Sequence, residues 1–305
     1  MRSFIIKRLL QIIPVLFIIS FIVFLLVHIA GDPVVLMLSE EATAEDVENL
    51  RNALGLNEPF IVQYGIFLLD IIQGDFGESF RYNTDALQLV LERLPATFEL
   101  AAFSMLIALI IAIPLGVLSA IKKNSIIDVF ASSFAVLGKA LPNFWLGIML
   151  ILVFSVTLSI FPVSGRGGIS HVVLPAITLG TSLAAEITRL TRSSMLDILN
   201  NDYIKTARSK GLKESKVIFK HAFKNALIPI ITITTLQSAT LVSGALITET
   251  VFAWPGLGQL VVDSINGRDM AVVQASVFVI ALMIIVLNFI TDLLYSLIDS
   301  RIKYD

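Results

Sequence analysis

The sequence predicts an all-α, polytopic membrane protein with six transmembrane helices and an extracytoplasmic insertion after the first. Three observations carry that expectation. Of 305 residues, 56% are hydrophobic and only 15% charged, and the mean hydropathy of +0.87 is far above that of a soluble chain of this length. The apolar residues gather in runs long enough to cross a hydrocarbon core of about 30 Å. Lys and Arg are distributed asymmetrically between those runs. No nucleic-acid partner is expected, although the formal net charge of −2 itself says nothing about nucleic acid and the distribution of Lys and Arg along the chain is the informative quantity. Cysteine is absent, which excludes disulfides and thiolate metal sites, and His28, His171 and His221 are too scattered to suggest a metal centre.

In chain order, Arg2, Lys7 and Arg8 precede an apolar run from Leu9 to Ile29, long enough for a first span at about 1.5 Å per residue. A signal peptide is the weaker reading, because the run is too long and no small-x-small cleavage site follows. From Gly31 to Leu94 the chain is more polar. There Thr43-x-x-Asp46 resembles a helix cap, followed by Val47, Leu50 and Leu54 on one face before Gly55, and Phe60, Tyr64, Phe67, Leu68 and Ile71 mark a second amphipathic helix. The acidic residues Glu40, Glu41, Glu45, Asp46 and Glu48 read as a solvated face, with a substrate trap as the weaker reading.

A second span is expected from Phe98 to Ala120, ending at Lys122 and Lys123. A third occupies much of Val129 to Phe161 and is broken by Pro142, read either as a hinge or as ordinary kinked packing. Ser164 to Gly168 make a turn, and a fourth span runs from about Val172 to Leu190. The fifth covers Leu227 to Thr248 and the sixth Val272 to Leu297. Between these last two, Trp254, Pro255, Gly256 and Gly258 punctuate the chain, with Trp254 suited to a membrane interface. Lys139 and Glu186 fall inside spans three and four at compatible depths. They either pair with each other or leave Lys139 facing an aqueous pathway.

Six spans place Arg2, Lys7, Arg8, Lys122, Lys123, Arg189, Arg192, Lys205, Arg208, Lys210, Lys213, Lys216, Lys220, Lys224, Arg301 and Lys303 on one side. Arg51, Arg81, Arg93, Arg166 and Arg268 fall on the other. The positive-inside rule then makes both termini cytoplasmic.

The most informative stretch lies on that cytoplasmic side, from Asp202 to Pro229. Tyr203, Ile204 and Ala207 share one helical face, and Gly211 is placed to end the helix after Arg208 and Lys210. A second helix follows, with Lys213, Lys216, Lys220 and Lys224 as a basic stripe and Val217, Ile218 and His221 on other faces. From the residues alone this is either a docking element or a basic helix held by the headgroups of membrane lipid.

This run resembles the cytoplasmic coupling loop, the EAA loop, of ATP-binding-cassette importer permeases, with Lys205, Thr206 and Ala207 at the EAA position and Gly211 at its glycine. ARSKGL followed by HAFKNALIP is similar to the peptide and nickel branch, and Pro229 stands where the general importer pattern would place its proline earlier. LGL at Leu54 to Leu56, GDFG at Gly74 to Gly77, RLPAT at Arg93 to Thr97, ETVF with WPG at Glu249 to Gly256, and the carboxy-terminal run with Ser300 in place of a usual proline extend the resemblance along the chain.

What the resemblance implies is a permease domain at 98–299 with its coupling loop at 200–228, behind an N-terminal transmembrane helix at 1–30 and an extracytoplasmic region at 31–97. The coupling contacts would fall on Tyr203, Lys205, Thr206, Ala207, Gly211 and Leu212, and Trp254, Pro255 and Gly256 would close the outer end of the pathway or form a plain interfacial loop. The implied cargo is dipeptides or oligopeptides, with nickel or a metal chelate as the alternative. Implied partners are a second homologous permease, two ATP-binding-cassette ATPase subunits and an extracytoplasmic substrate-binding protein, at a bacterial or archaeal cytoplasmic membrane.

No cofactor is expected on this chain. It contains no GxxxxGK[ST] loop, HExxH pair or GxSxG elbow, so ATP would be bound by the partner subunits. An ion-coupled secondary transporter is the rival from another class, and an intramembrane enzyme lacks any nucleophile or metal motif.

Overall fold

The computed structural model describes residues 2–30, 43–53 and 55–298. Glu40, Glu41, Leu54, Ser300, Arg301 and Lys303, with the start of the insertion at Gly31 and the end of the carboxy-terminal motif, lie outside the described residues. The chain divides into two compact units, one from Met1–Pro95 with Gly256–Val286 and the other from Ala96–Pro255 with Leu287–Lys303.

In the first unit, α1 (Arg2–Ala30) is the expected first span. The cap before α2 (Ala44–Ala53) is reciprocal: Thr43 N donates to Asp46 Oδ2 at 2.9 Å and Asp46 N donates to Thr43 Oγ1 at 3.2 Å. The Thr43 hydroxyl and amide hold the Asp46 carboxyl below its ordinary range. The amphipathic helix α3 (Phe60–Gln73) sets Phe60, Tyr64 and Phe67 against Phe24 of α1, with ring centroids 5.1 to 5.5 Å apart. Tyr64 also shares a 2.9 Å hydrogen bond with Ser20, so the polar tip of the ring is satisfied inside an apolar contact.

A short antiparallel ribbon, β1 (Glu78–Ser79) with β2 (Thr84–Asp85), follows, and Ser79 Oγ donates to the buried Asp269. Phe76, Leu89, Val90, Leu260, Val272 and Val279 form the core of this unit.

The helix α4 (Ala86–Ile121) begins twelve residues before the expected second span, so the anticipated 97/98 boundary falls inside a helix. At the third span the correction is larger. Instead of one kinked helix there are two, α5 (Ile126–Ala140) and α6 (Asn143–Leu150), the latter continuing as a π-helix over Ile151–Thr157, with an angle of 106° between them. The cause is local. The residue before a proline is driven out of the α region, and Leu141 (φ −77°, ψ 127°) and Pro142 (φ −63°, ψ 134°) are both extended, which removes two consecutive residues from the helix. Pro142 therefore stands between helices, not within one.

The bent pair still crosses once. Asp128 meets Arg192 near the end of α7 (Ile169–Leu199), Gly138 packs on Ala185 near its middle, and Gly147 on Thr178 further back. Among the described residues there are thus five membrane-length helices and one broken span, giving the six expected. The helices α4 and α7 run parallel and touch closely. A Cβ on Gly180 would stand 2.8 Å from Ser104 O, and one on Gly116 would stand 2.6 Å from Thr191 Cβ.

After α7 come α8 (Asp202–Ser209), the short α9 (Glu214–Lys216), a π-helical stretch over Val217–Phe223, and α10 (Lys224–Val251). Between α10 and the last span, α12 (Met270–Ile298), lies a helix the sequence reading did not anticipate, α11 (Leu257–Asn266). Its apolar residues Leu257, Leu260 and Val261 are buried at helical spacing immediately after the punctuating glycine Gly256.

Candidate functional site

The segment after Asp202 has the expected form of helix, glycine turn and helix. Gly211 has φ +72°, and its amide donates to Arg208 O at 2.9 Å. Open space surrounds the position where a Cβ would be, so only the backbone conformation demands glycine there. Arg208 reaches across this turn to Glu214 at 2.6 Å, clamping α8 to α9, and the carboxylate holds the guanidinium above its ordinary pKa.

The inner face of the segment is Ile204, Ala207, Val217, Ile218 and Ala222, all buried. They belong to one cluster with Met195 and Ile187 of α7, Leu100 and Ala108 of α4, and Ile230 and Leu241 of α10, with Leu212 packed at its edge. Tyr203 departs from the expected grouping. It lies on the exposed side, its hydroxyl accepting a 3.0 Å hydrogen bond from Asn225 Nδ2, because a phenol at the margin of an apolar stripe can keep its polar end in water. The outer face carries Lys205, Thr206, Arg208, Lys210, Lys213, Lys216, Lys220 and Lys224, and among these cations stand the exposed rings of Tyr203 and Phe219. That face is basic and partly apolar, and it rests on the helix core.

The far end of the same unit is tightly packed. Trp254, expected at an interface, is fully buried. Its Nε1 donates to Ala96 O at 2.8 Å and its amide to Glu249 O at 2.8 Å. An indole whose single donor is satisfied is otherwise apolar, which is why it sits in the core. Glu249, also buried, accepts from Thr97 Oγ1 at 2.7 Å. Arg166 pairs with Glu99 at 2.5 Å and lies over the Trp254 ring at 5.9 Å. Pro255 is half-buried and Gly256, extended at φ −102°, precedes α11.

Between the two ends, Lys139 Nζ donates to Glu186 Oε2 at 2.8 Å, so the two intramembrane charges meet as one of the two sequence readings required. A second pair was missed. Arg192 donates to Asp128 through Nε at 2.6 Å and NH2 at 2.9 Å, while Ser119 Oγ and Asn124 N donate to the same carboxylate. The available signal was an acid at the start of one apolar run and an arginine near the end of another, both on the same side of the membrane.

The family model for "binding-protein-dependent transport system inner membrane component" matches residues 112–304, and that for the N-terminal part of such membrane components matches residues 1–101. The dipeptide transport system permease protein of Alkalihalophilus pseudofirmus is 40% identical and the oligopeptide transport system permease protein of Bacillus subtilis 43% identical, each over the whole of both chains. The glutathione transport system permease protein of Escherichia coli is 41% identical, again over the whole of both. Among solved structures, the inward-facing MetNI methionine ABC transporter superposes with a TM-score of 0.56 at 18% identity, over 70% of this chain and 97% of that one. An amino acid ABC transporter gives 0.54 at 15% identity, over 68% and 93%. At those identities the structural likeness speaks for the fold.

Proposed function

Since this chain belongs to the family of binding-protein-dependent transport system inner membrane components, the membrane subunits of ABC importers, we propose that it carries peptides across the cytoplasmic membrane as one half of a permease pair. Separate ATPase subunits bind and hydrolyse ATP, and an extracytoplasmic binding protein delivers the cargo. The chain lies with both termini and the coupling segment in the cytoplasm, as the Lys and Arg distribution requires.

One observation supports the coupling role above the others. The buried side of α8 and of the π-helical stretch is part of the same hydrophobic cluster as α4, α7 and α10. Close-packed interiors transmit displacement, so a partner that pushes on the outer face of α8 moves the membrane helices with it. Lys205, Thr206, Arg208 and Lys210 on that face offer the polar contacts, and Tyr203 and Phe219 the apolar ones. Peptides are the proposed cargo because relatives matching the full length of the chain are named for dipeptides, oligopeptides and glutathione, itself a peptide.

The test is reconstitution of the chain with its copurifying subunits in proteoliposomes. ATP-dependent uptake of a labelled dipeptide, stimulated by the binding protein, is the expected result. Uptake driven by an ion gradient without ATPase subunits, or uptake of nickel in preference to peptide, would overturn the reading.

A further inference from the structure

Two ion pairs join α5 to α7, and they are built differently. At Asp128–Arg192 the carboxylate side chain is 7% exposed and receives four hydrogen bonds. At Lys139–Glu186 the side chains are 62% and 24% exposed, and the ammonium, with three donors, makes its one described hydrogen bond to Glu186. The first is a closed fastening and the second an open one.

Depth makes the open pair unusual. Glu186 stands about 21 Å along α7 from Val172, the outer end of its span, and Lys139 about 20 Å along α5 from Ile126, one residue before the break in its own span. A cation facing acyl chains at that depth is strongly disfavoured, so Lys139 faces water or a polar partner. Ser132 lies two helical turns earlier on the same face of α5, where an open groove of about 560 Å3 is lined by Asp128, Ser132, Ser133, Val136 and Leu137.

We infer that Lys139 is a transit subsite for the carboxylate of the cargo, which exchanges with Glu186 on the ammonium as the peptide passes. This rests on the peptide-permease reading above. Glu186 has two duties in the exchange. It neutralises Lys139 while the pathway is idle, so that small anions do not collect there, and it competes with the cargo, which keeps binding weak enough for release. While displaced, it is free to accept the peptide's own ammonium group.

The chain has no cysteine, so Lys139→Cys and Ser132→Cys each introduce a single thiol into the full complex, assembled in proteoliposomes with cysteine-free partners. For each variant, rates are taken relative to wild type for a dipeptide and for its C-terminal amide, so that differences in delivery cancel. Lys139→Cys is expected to lower uptake of the free-carboxylate dipeptide about tenfold more than that of the amide, the scale of one charge-assisted hydrogen bond. Aminoethyl methanethiosulfonate, which restores an ammonium, should return the lost uptake, and the sulfonatoethyl reagent should not.

Ser132→Cys, a nearly isosteric change that tests the groove should Lys139→Cys fail to fold, is expected to react from water and to be protected by the dipeptide. Equal loss for both peptides without aminoethyl rescue, or a thiol at position 132 unreachable from water during ATP turnover, overturns the inference while the permease reading stands. A wild-type complex that takes up neither peptide overturns both.

Discussion

Arg192 holds Asp128 through two hydrogen bonds, and the buried carboxylate has two further donors in Ser119 and the backbone of Asn124. This ties the start of α5 to the end of α7, just before the chain enters α8. The two members of the pair are not equally dispensable. Removing Arg192 strands a buried anion, whereas removing the charge of Asp128 leaves an arginine that can reach solvent. Arg192→Ala is therefore expected to destabilise by about 2 to 4 kcal/mol and Asp128→Asn by about half as much. The check is the thermal midpoint of the detergent-purified protein, where a larger loss for Asp128→Asn would refute the assignment.

Gly211 makes a second prediction possible because its constraint is backbone alone. Valine at φ +72° costs on the order of 1 to 2 kcal/mol and misplaces α9 against α8, whereas asparagine tolerates the left-handed region. Gly211→Val should reach the membrane yet lose peptide-stimulated ATP hydrolysis in the reconstituted complex, and Gly211→Asn should keep most of it. Normal stimulation in the valine variant would show that the turn does not set coupling.

The contact between α4 and α7 supplies a third test. Gly116→Ala drives a methyl group to within 2.6 Å of Thr191 Cβ and 2.8 Å of Thr188 O, one of them backbone that cannot yield cheaply. A loss of about 1 to 3 kcal/mol is expected. Gly65→Ala in α3 meets nothing within 4 Å and, by raising helix propensity, should be neutral or stabilising by up to about 1 kcal/mol. Equal melting behaviour of the two variants would mean that α4 and α7 are not in contact.

Orientation is tested by labelling. Single cysteines at Glu45→Cys and Ser164→Cys are expected to react with an impermeant thiol reagent applied to intact cells. Those at Lys123→Cys and Ser215→Cys should react only after permeabilisation; all four positions are exposed. Labelling of Ser215→Cys from outside would invert the topology and remove the coupling segment from the ATPase side.

The parts of the fold legible in the sequence were those written in local chemistry. Apolar run length announced the spans, Thr43 and Asp46 announced a cap, and Gly211 announced a left-handed turn, because each signal is carried by neighbouring residues. Pro142 was recognised as a break, but its angle was not. That depended on Leu141 leaving the helix as well, a restriction that proline imposes on its predecessor. Trp254 was misplaced because the Ala96 carbonyl that accepts its indole proton is 158 positions away in the chain. Asp128 and Arg192, 64 positions apart, were hidden for the same reason. Lys139 and Glu186 were found because a charge inside an apolar run requires an answer wherever its partner lies.

The π-helical stretch at Val217–Phe223 has a bearing on how this chain tolerates changes in length. A π turn holds about one residue more than the α turn it replaces. Deleting a single residue there would let the stretch relax to ordinary helix while Val217 at its start and Ala226 beyond its end keep their inward bearing. The same deletion one turn later, within α10, would rotate every following side chain by about 100° and carry Ile230 and Leu241 off the core. The spare residue makes this point, beside the segment that would receive the stroke, a slip joint in the chain's own register.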